Sequence, residues 1–362
     1  MAEASKPHNP HGKSSLLLSS SPHIVSPVTA SRLMGNMLLA LAPVTAYGVI
    51  LFGLPALLTV IVSVVSAIAG ESLFRIISGQ PVRASDLSAG VTGLLLALIL
   101  PPSTPLWITA LGAVFSVVVA KEFFGGLGAN VFNPALSGRA FLLMSFPAAL
   151  TVWHRPAAGF ALKLSDALSA PVVDGISGVT PLGITHGENI ASVGKVFSAS
   201  GLSASADYPS TLWTLFIGSH AGSIGESSAF LILAGMVFLL IKKTIDWRAP
   251  ASMIAAAFIT SLILGLDPLF SILSGGLLFG AVFMSTDYVT SPLTSKGKLI
   301  FGAGAGIIII LIRKWGTYPE GVTYGLLIMN AFVPFLNRLL PRKYGYVPKK
   351  KTGRSKSVEA PK

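Results

Sequence analysis

The stretch Asp174-Gly175-Ile176-Ser177-Gly178-Val179-Thr180-Pro181-Leu182 is a polar, glycine-broken loop in an otherwise apolar chain. A threonine hydroxyl is a weak nucleophile unless a base or metal is positioned beside it, and neither Val179 nor Pro181 supplies one. The chemistry open to Thr180 is therefore that of an acceptor, with a group attached by another enzyme. The local backbone suits that role. Pro181 biases Thr180 toward an extended conformation, and Gly178 removes a side chain that would hinder approach. Serine, glycine, threonine and proline also cluster in ordinary turns, so spacing alone leaves both readings open.

Three further groups of residues could carry chemistry. The run Phe124-Gly125-Gly126-Leu127-Gly128-Ala129-Asn130-Val131-Phe132-Asn133-Pro134 brings backbone N–H groups to a helix junction, where an anion can sit; close helix packing explains the glycines equally well. Asp86, Glu122, Asn130, Asn133, Glu226, Asp267 and Asp287 lie in or beside apolar segments. Ionisable groups at membrane depth are costly and mark ion pathways, which makes Asp287, Glu122 and Asn133 candidates for an ion path. Asp86 and Asp287 also fall at expected helix ends, where a capping role is as good an account. The stretch Gly218 to Ser227 reads as a re-entrant turn or a second ligand contact. His220 has no second histidine nearby, so no metal site is expected. The chain has no cysteine, which excludes disulfides, thiolate zinc sites and cysteine-ligated clusters of its own.

The elements that position these residues are membrane helices. Of 362 residues, 52% are hydrophobic and 11% charged, against roughly 25% charged in soluble domains. The apolar runs are continuous and lack the alternation of a β-barrel. Ten apolar segments stand out: 36–52, 54–70, 87–100, 106–120, 131–153, 229–241, 251–264, 268–284, 299–312 and 321–339. Glu71, Arg75 and Arg83 fall in the connection after the second. Several segments are shorter than the ~20 residues of a straight span, which points to tilted or broken helices. The reading is an all-α polytopic membrane protein: an amino-terminal segment 1–35, a membrane domain 36–340 containing the loop 154–227, and a basic tail 341–362. Residues 1 to 33 lack the pattern of a signal peptide.

Lysine and arginine set the orientation. With both termini cytoplasmic, Arg75, Arg83, Lys121, Lys242, Lys243, Arg248, Lys296 and Lys298 lie inside, and Arg313 and Lys314 are the main exceptions. The loop bearing Thr180 is then extracytoplasmic. The formal charge of +12 falls largely in the tail, as at a cytoplasmic membrane surface; nucleic acid is not an expected partner. The Asn130–Pro134 stretch with Gly138, and Asp287-Tyr288-Val289-Thr290-Ser291-Pro292 with Gly297, each follow an apolar segment. This is a faint internal repeat, and five spans per half would make the halves inverted. Chance similarity in a glycine- and proline-rich chain competes with it.

Taken together, these residues resemble the RnfD component of the Rnf electron-transport complexes and, more distantly, the NqrB component of the sodium-translocating NADH:quinone oxidoreductases. The family's flavinylation motif is an aspartate, two variable residues, serine or threonine, glycine, usually alanine, and threonine; here it reads Asp174 to Thr180, with Val179 as the one departure. The likeness extends to Ser21-Pro22-His23-Ile24, Gly93 to Leu98 with Pro101-Pro102, Gly125 to Pro134, Gly222 to Glu226, Asp287 to Pro292 and Tyr318 to Val322. The short amino-terminal region favours the Rnf component. The resemblance implies FMN joined through its phosphate to Thr180 by a transferase, with Asp174, Ser177 and Gly178 serving the transferase or the phosphate. It also implies a further noncovalent flavin, riboflavin among the candidates, and two inverted halves with a fold similar to urea and ammonium transporters. The implied function is electron flow coupled to Na+ or H+ translocation in a bacterial or archaeal cytoplasmic membrane, beside the other components of the complex. A small-solute transporter or channel without a redox group is the alternative.

Overall fold

The computed structural model describes residues 29–82, 86–151, 153, 182, 208–218, 220–316 and 320–338. All the elements among them are helical. Helix α1 (Ala30–Phe52) opens where the Thr29 side chain accepts from Arg32 N, and α2 (Leu54–Ile77) follows after Gly53. The next are α3 (Ser88–Ile99), α4 (Leu106–Val118) and α5 (Pro134–Ser145). After them come α6 (Tyr208–Ile217), α7 (Ala229–Ile241) and α8 (Arg248–Ile263). A broken helix is formed by α9 (Pro268–Leu273) and α10 (Leu277–Phe279), the latter running on into a π-helical turn, Gly280–Met284. The last two are α11 (Ser295–Trp315) and α12 (Val322–Leu336).

Four of these segments are long and apolar enough to cross a membrane: 30–52, 54–77, 106–124 and 295–315. The shorter apolar helices are α3, α7, α8 and α12. Ile50, Ile61, Val65, Trp107, Ile259, Ile263 and Phe332 are exposed on the outer faces, as lipid contact requires. Helix α3 is different. It is apolar all round and buried along nearly its whole length, the mark of a helix surrounded by protein.

The helix pairings occur twice. In the first half α2 packs on α3 and α4, and α4 on α5; in the second, α8 packs on α9 and α11, and α11 on α12. Across the halves α1 meets α7 and α5 meets α12. These counterparts run antiparallel. Asn36 near the start of α1 donates to Thr244 beyond the end of α7 (3.0 Å), while Gly48, farther along α1, meets Ile224 ahead of α7. Arg139 and Asn133 on α5 likewise face residue 320 and residue 330 at successive positions down α12.

Small residues allow the close approaches. A Cβ on Gly306 of α11 would run into the Met253 carbonyl of α8, and one on Gly302 into Ala249. In the first half Gly138 meets Ser116, and Gly93 lies against Ser63, whose Oγ donates to the Gly93 carbonyl (2.6 Å). With no hydrophobic drive between helices in lipid, such backbone proximity provides the dispersion contacts that hold a bundle together. The turn between α7 and α8 is tied to α11 by Asp246. Burial raises its carboxyl, but hydrogen bonds from Arg248 N (3.1 Å), Lys298 Nζ (3.1 Å) and Arg248 Nη1 (3.0 Å) outweigh that and hold it below the usual range.

Gly306→Leu is expected to destabilise the protein by about 1–3 kcal/mol, the usual cost of overpacking. Gly90→Ala, at a position with open space around it, should be neutral or slightly stabilising. Thermal melts of both variants in detergent, followed by size-exclusion retention, measure the contrast.

Candidate functional site

The two proline-broken stretches of the faint repeat meet in the structure. Asn133 caps α5, its side chain accepting from Leu136 N (3.2 Å). Asp287 follows the π-helical turn and organises its own loop: Oδ2 accepts from Thr290 Oγ1 (2.8 Å) and Oδ1 from Val289 N (3.4 Å). Asn330, in the middle of α12, stitches the two together. With its amide oriented by the network, it accepts from Asn133 N (3.1 Å) and donates to the Thr290 carbonyl (3.2 Å). Asn130, Asn133, Asp287, Thr92 of α3 and Lys121 line one cavity with Met37 of α1. The space among them, about 630 Å³, is partly open to solvent.

Beside this cavity runs a buried chain of alternating charge. Lys121 is 2% exposed and donates to Glu71 Oε2 (2.6 Å) and Ser88 Oγ (2.6 Å). Ser88 in turn donates through Oγ (2.7 Å) and N (2.9 Å) to Asp86 Oδ1. On the other side of Glu71, Arg75 Nε lies 3.6 Å from Oε1, one helical turn along α2. Its Nη2 reaches Glu122 Oε1 (3.0 Å). Gly126, at φ +87°, admits this pair, since a Cβ there would lie 2.9 Å from Arg75 Nη2. Every link is an ion pair or a charge-assisted hydrogen bond, which is how charge persists in a low-dielectric interior.

A second buried cluster lies toward the other end of α12. Arg139 of α5 holds Glu320 through both guanidinium nitrogens, Nη1 to Oε1 at 2.9 Å and Nη2 to Oε2. Arg313, in the last turn of α11, donates to the carbonyls of Ser271 and Ser274 (3.2 Å for the latter). It thereby caps the break between α9 and α10. Leu182 reaches the same place: a Cβ on Gly275 would lie 3.2 Å from Leu182 Cδ2 and 3.0 Å from Arg313 Nη2.

Of the residues singled out in the sequence, Asp287 and Asn133 share the central cavity. Glu122 lies a layer away, paired with Arg75. Thr180, Asp174, Ser177 and Gly178 lie outside the described residues. Glu71 and Arg75 prove to be in the last turns of α2, which continues to Ile77 past the expected end at residue 70. Within the loop 154–227, the apolar patch that the sequence shows at residues 212–217 belongs to a helix, α6. His220 is buried with Nδ1 3.2 Å from the Ala221 carbonyl, and no cluster of metal-binding side chains occurs among the described residues. Sequence reasoning missed Asn330, Lys121 and the Arg139–Glu320 pair. Asn330 had a signal, as the one amide within the apolar run of α12.

Glu71→Ala leaves Lys121 with only the Ser88 hydroxyl and Arg75 with Glu122 alone, and is expected to cost about 3–5 kcal/mol, the range for breaking a buried pair by removing one partner. The double variant Glu71→Leu, Lys121→Met should recover much of that loss. A double-mutant cycle on thermal unfolding reads the difference.

Comparison with known proteins matches residues 17–345 to the model described as the NQR2, RnfD, RnfE family. The chain is 38% identical over 342 residues to the D component of the proton-translocating ferredoxin:NAD(+) oxidoreductase complex of Clostridium ljungdahlii, covering 92% of this chain and 97% of that one. It is 37% identical over 343 residues to the D component of the Na(+)-translocating ferredoxin:NAD(+) oxidoreductase complex of Acetobacterium woodii, covering 94% and 98%. A third relative, the D component of the ion-translocating oxidoreductase complex of Stutzerimonas stutzeri, is 39% identical over 340 residues, covering 88% and 92%.

Proposed function

The chain belongs to the NQR2, RnfD, RnfE family, and from that membership we propose that it is a membrane component of a redox-driven, ion-translocating electron-transport complex of the ferredoxin:NAD+ oxidoreductase type. The observation that carries the reading is full-length similarity to the D components of such complexes, in a bundle of apolar helices with buried ion pairs. The named relatives include a proton-translocating and a Na+-translocating complex, so the chain's own ion is either Na+ or H+. The fold in this proposal is ten spans in two inverted halves, like urea and ammonium transporters. The antiparallel pairing of α1 with α7 and of α5 with α12 supports it. Both termini are cytoplasmic and the Thr180 loop faces outward, as the lysine and arginine distribution favours.

Thr180 carries FMN in this reading, attached through the phosphate by a transferase, with Asp174, Ser177 and Gly178 presenting the threonine or holding the phosphate. One described residue bears on the fit. Leu182 packs on Gly275 next to the Arg313 guanidinium, and two residues of chain reach no farther than about 7 Å. That anchor lies two positions along the chain from the acceptor threonine of this reading. When bound, FMN supplies one- and two-electron redox chemistry. The protein holds it at the outer face, while Asp287 and Asn133 in the central cavity belong to the ion path and Glu122 buttresses that path through Arg75. A further, noncovalent flavin, riboflavin among the candidates, completes the cofactor set.

Co-expression with the native transferase should give a denatured gel band that fluoresces under ultraviolet light, and Thr180→Val should abolish it. A dark wild-type band would overturn the flavin reading in favour of a solute transporter or channel. Acid precipitation separates the two flavins, since only the noncovalent one enters the supernatant. Asp287→Asn should keep the fluorescent band yet lower ion transport per electron at least tenfold in proteoliposomes holding the assembled complex. Unchanged coupling would remove Asp287 from the path.

A further inference from the structure

The cluster at the far end of α12 contains a carboxyl with no cation bonded to it. Glu226 ends the short turn Ile224–Glu226 ahead of α7. It is 8% exposed, and its Oε1 has no hydrogen bond of good geometry. Its neighbours are fixed by others: Arg139 is taken in fork geometry by Glu320, and Arg313 donates to the carbonyls of Ser271 and Ser274. Both carboxylates converge on the glycine turn of the broken helix. A Cβ on Gly276 would lie 2.8 Å from Glu226 Oε1 and 3.2 Å from Glu320 Oε1. Three more buried polar atoms around these turns lack hydrogen bonds of good geometry, namely Ser223 Oγ, Ser274 Oγ and His220 Nε2. Buried polar atoms are nearly always satisfied in folded proteins, so orphans gathered on two adjoining turns mark a place where something exchangeable binds.

We propose that Glu226, together with Glu320, forms a proton-binding site at the end of the bundle opposite the central cavity. A proton fits where a metal cation does not. Two guanidiniums beside the pair repel a second cation, and Na+ would need several oxygens at once, whereas a proton needs one carboxyl oxygen and an acceptor. A carboxylate buried without a bonded cation is also costly unless it is neutralised. The charged and titratable groups facing Glu226 are Glu320 ahead of α12, Arg139 of α5, Arg313 of α11 and His220 on its own loop. The turn ahead of α10 presents Gly276 to it, while the rest of its own short turn packs on apolar or small residues, Ile224 on Gly48 of α1 and Gly225 on Leu98 of α3 and Phe279 of α10. Leu182 closes over the neighbouring Gly275, so the site lies within reach of the segment that carries Thr180. Its role as proton donor or acceptor to a group on that segment rests on the flavin reading; the existence of the site does not.

Infrared titration of the assembled complex in H2O and D2O tests this directly. A protonated-carboxyl stretching band that shifts in D2O and titrates with pH is expected. Glu226→Gln should remove it, and Glu320→Gln, which leaves Glu226 in place but changes its neighbour, should move its midpoint. Asp287→Asn should leave this band unchanged and serves as the control for the other end. An undiminished band in Glu226→Gln, or an unmoved midpoint in Glu320→Gln, would overturn the proposal. Thr180→Val should retain the band, so loss of flavin and loss of the proton site are separately visible.

Discussion

A charge buried in a protein interior has to be neutralised where it stands, and that requirement shapes this bundle more than any propensity of its helices. Lys121, Glu71, Arg75 and Glu122 form one connected set in which no member is tolerable alone. Helix α2 can therefore carry Glu71 and Arg75 only because the residues beyond α4 return to meet them. Gly126, just beyond them and at positive φ, passes the pair with no side chain to crowd Arg75 and Glu122. Removing water from these groups is costly, and their mutual attraction restores the balance only with near-ideal geometry. The contacts among α2, α4 and the Gly125–Asn133 stretch are thus fixed by electrostatics first and packing second.

The same logic explains what could be read from residues alone. Apolar stretches were legible because lipid demands them, and nearly all reappear as helices. The end of α2 was not. Glu71 and Arg75 look like a polar connection until Lys121 and Glu122, some fifty positions later, are known to neutralise them. Helix α6 was seen only as an apolar patch because it is short and flanked by polar residues. The meeting of Asn133 with the Thr290 loop was half legible, as a repeat of polar residue, proline and glycine. The bridging Asn330 was not, because it sits in an apolar helix far from both and its purpose appears only when the halves are folded together. Thr180 lies outside the described residues, and its reading rests on family resemblance, since a modified threonine and an ordinary turn share one composition.

The broken helix shows how one interior accommodates both demands. Between α9 and α10 the chain unwinds at Ser274, Gly275 and Gly276, which frees carbonyls that lipid could not satisfy. Arg313 takes two of them, and this accounts for a buried arginine that runs against the lysine and arginine bias of the two membrane faces. Arginine suits the task because its planar fork serves two acceptors at once. The π-helical turn that follows leaves a similar irregularity, which Ser285 and Thr286 relieve by donating back to the Ala281 and Val282 carbonyls (2.7 and 2.6 Å).

The two ends of α12 then differ in a way that bears on transport. Near Asn330, Lys121 is the cation lining the cavity, yet its hydrogen bonds go to Glu71 and Ser88, and Asp287 is held by the Thr290 hydroxyl and the backbone amides of Tyr288 and Val289. At the Glu320 end Arg139 is claimed by Glu320, and Glu226 has no ion pair among the described residues. Each cluster thus leaves one acid outside the salt bridges found among the described residues. Such an acid can change partners, because no cation is lost when it does. The acids locked to Lys121 and Arg75 cannot, and they hold the frame; in the proposed reading Asp287 serves the ion path and Glu226 the proton.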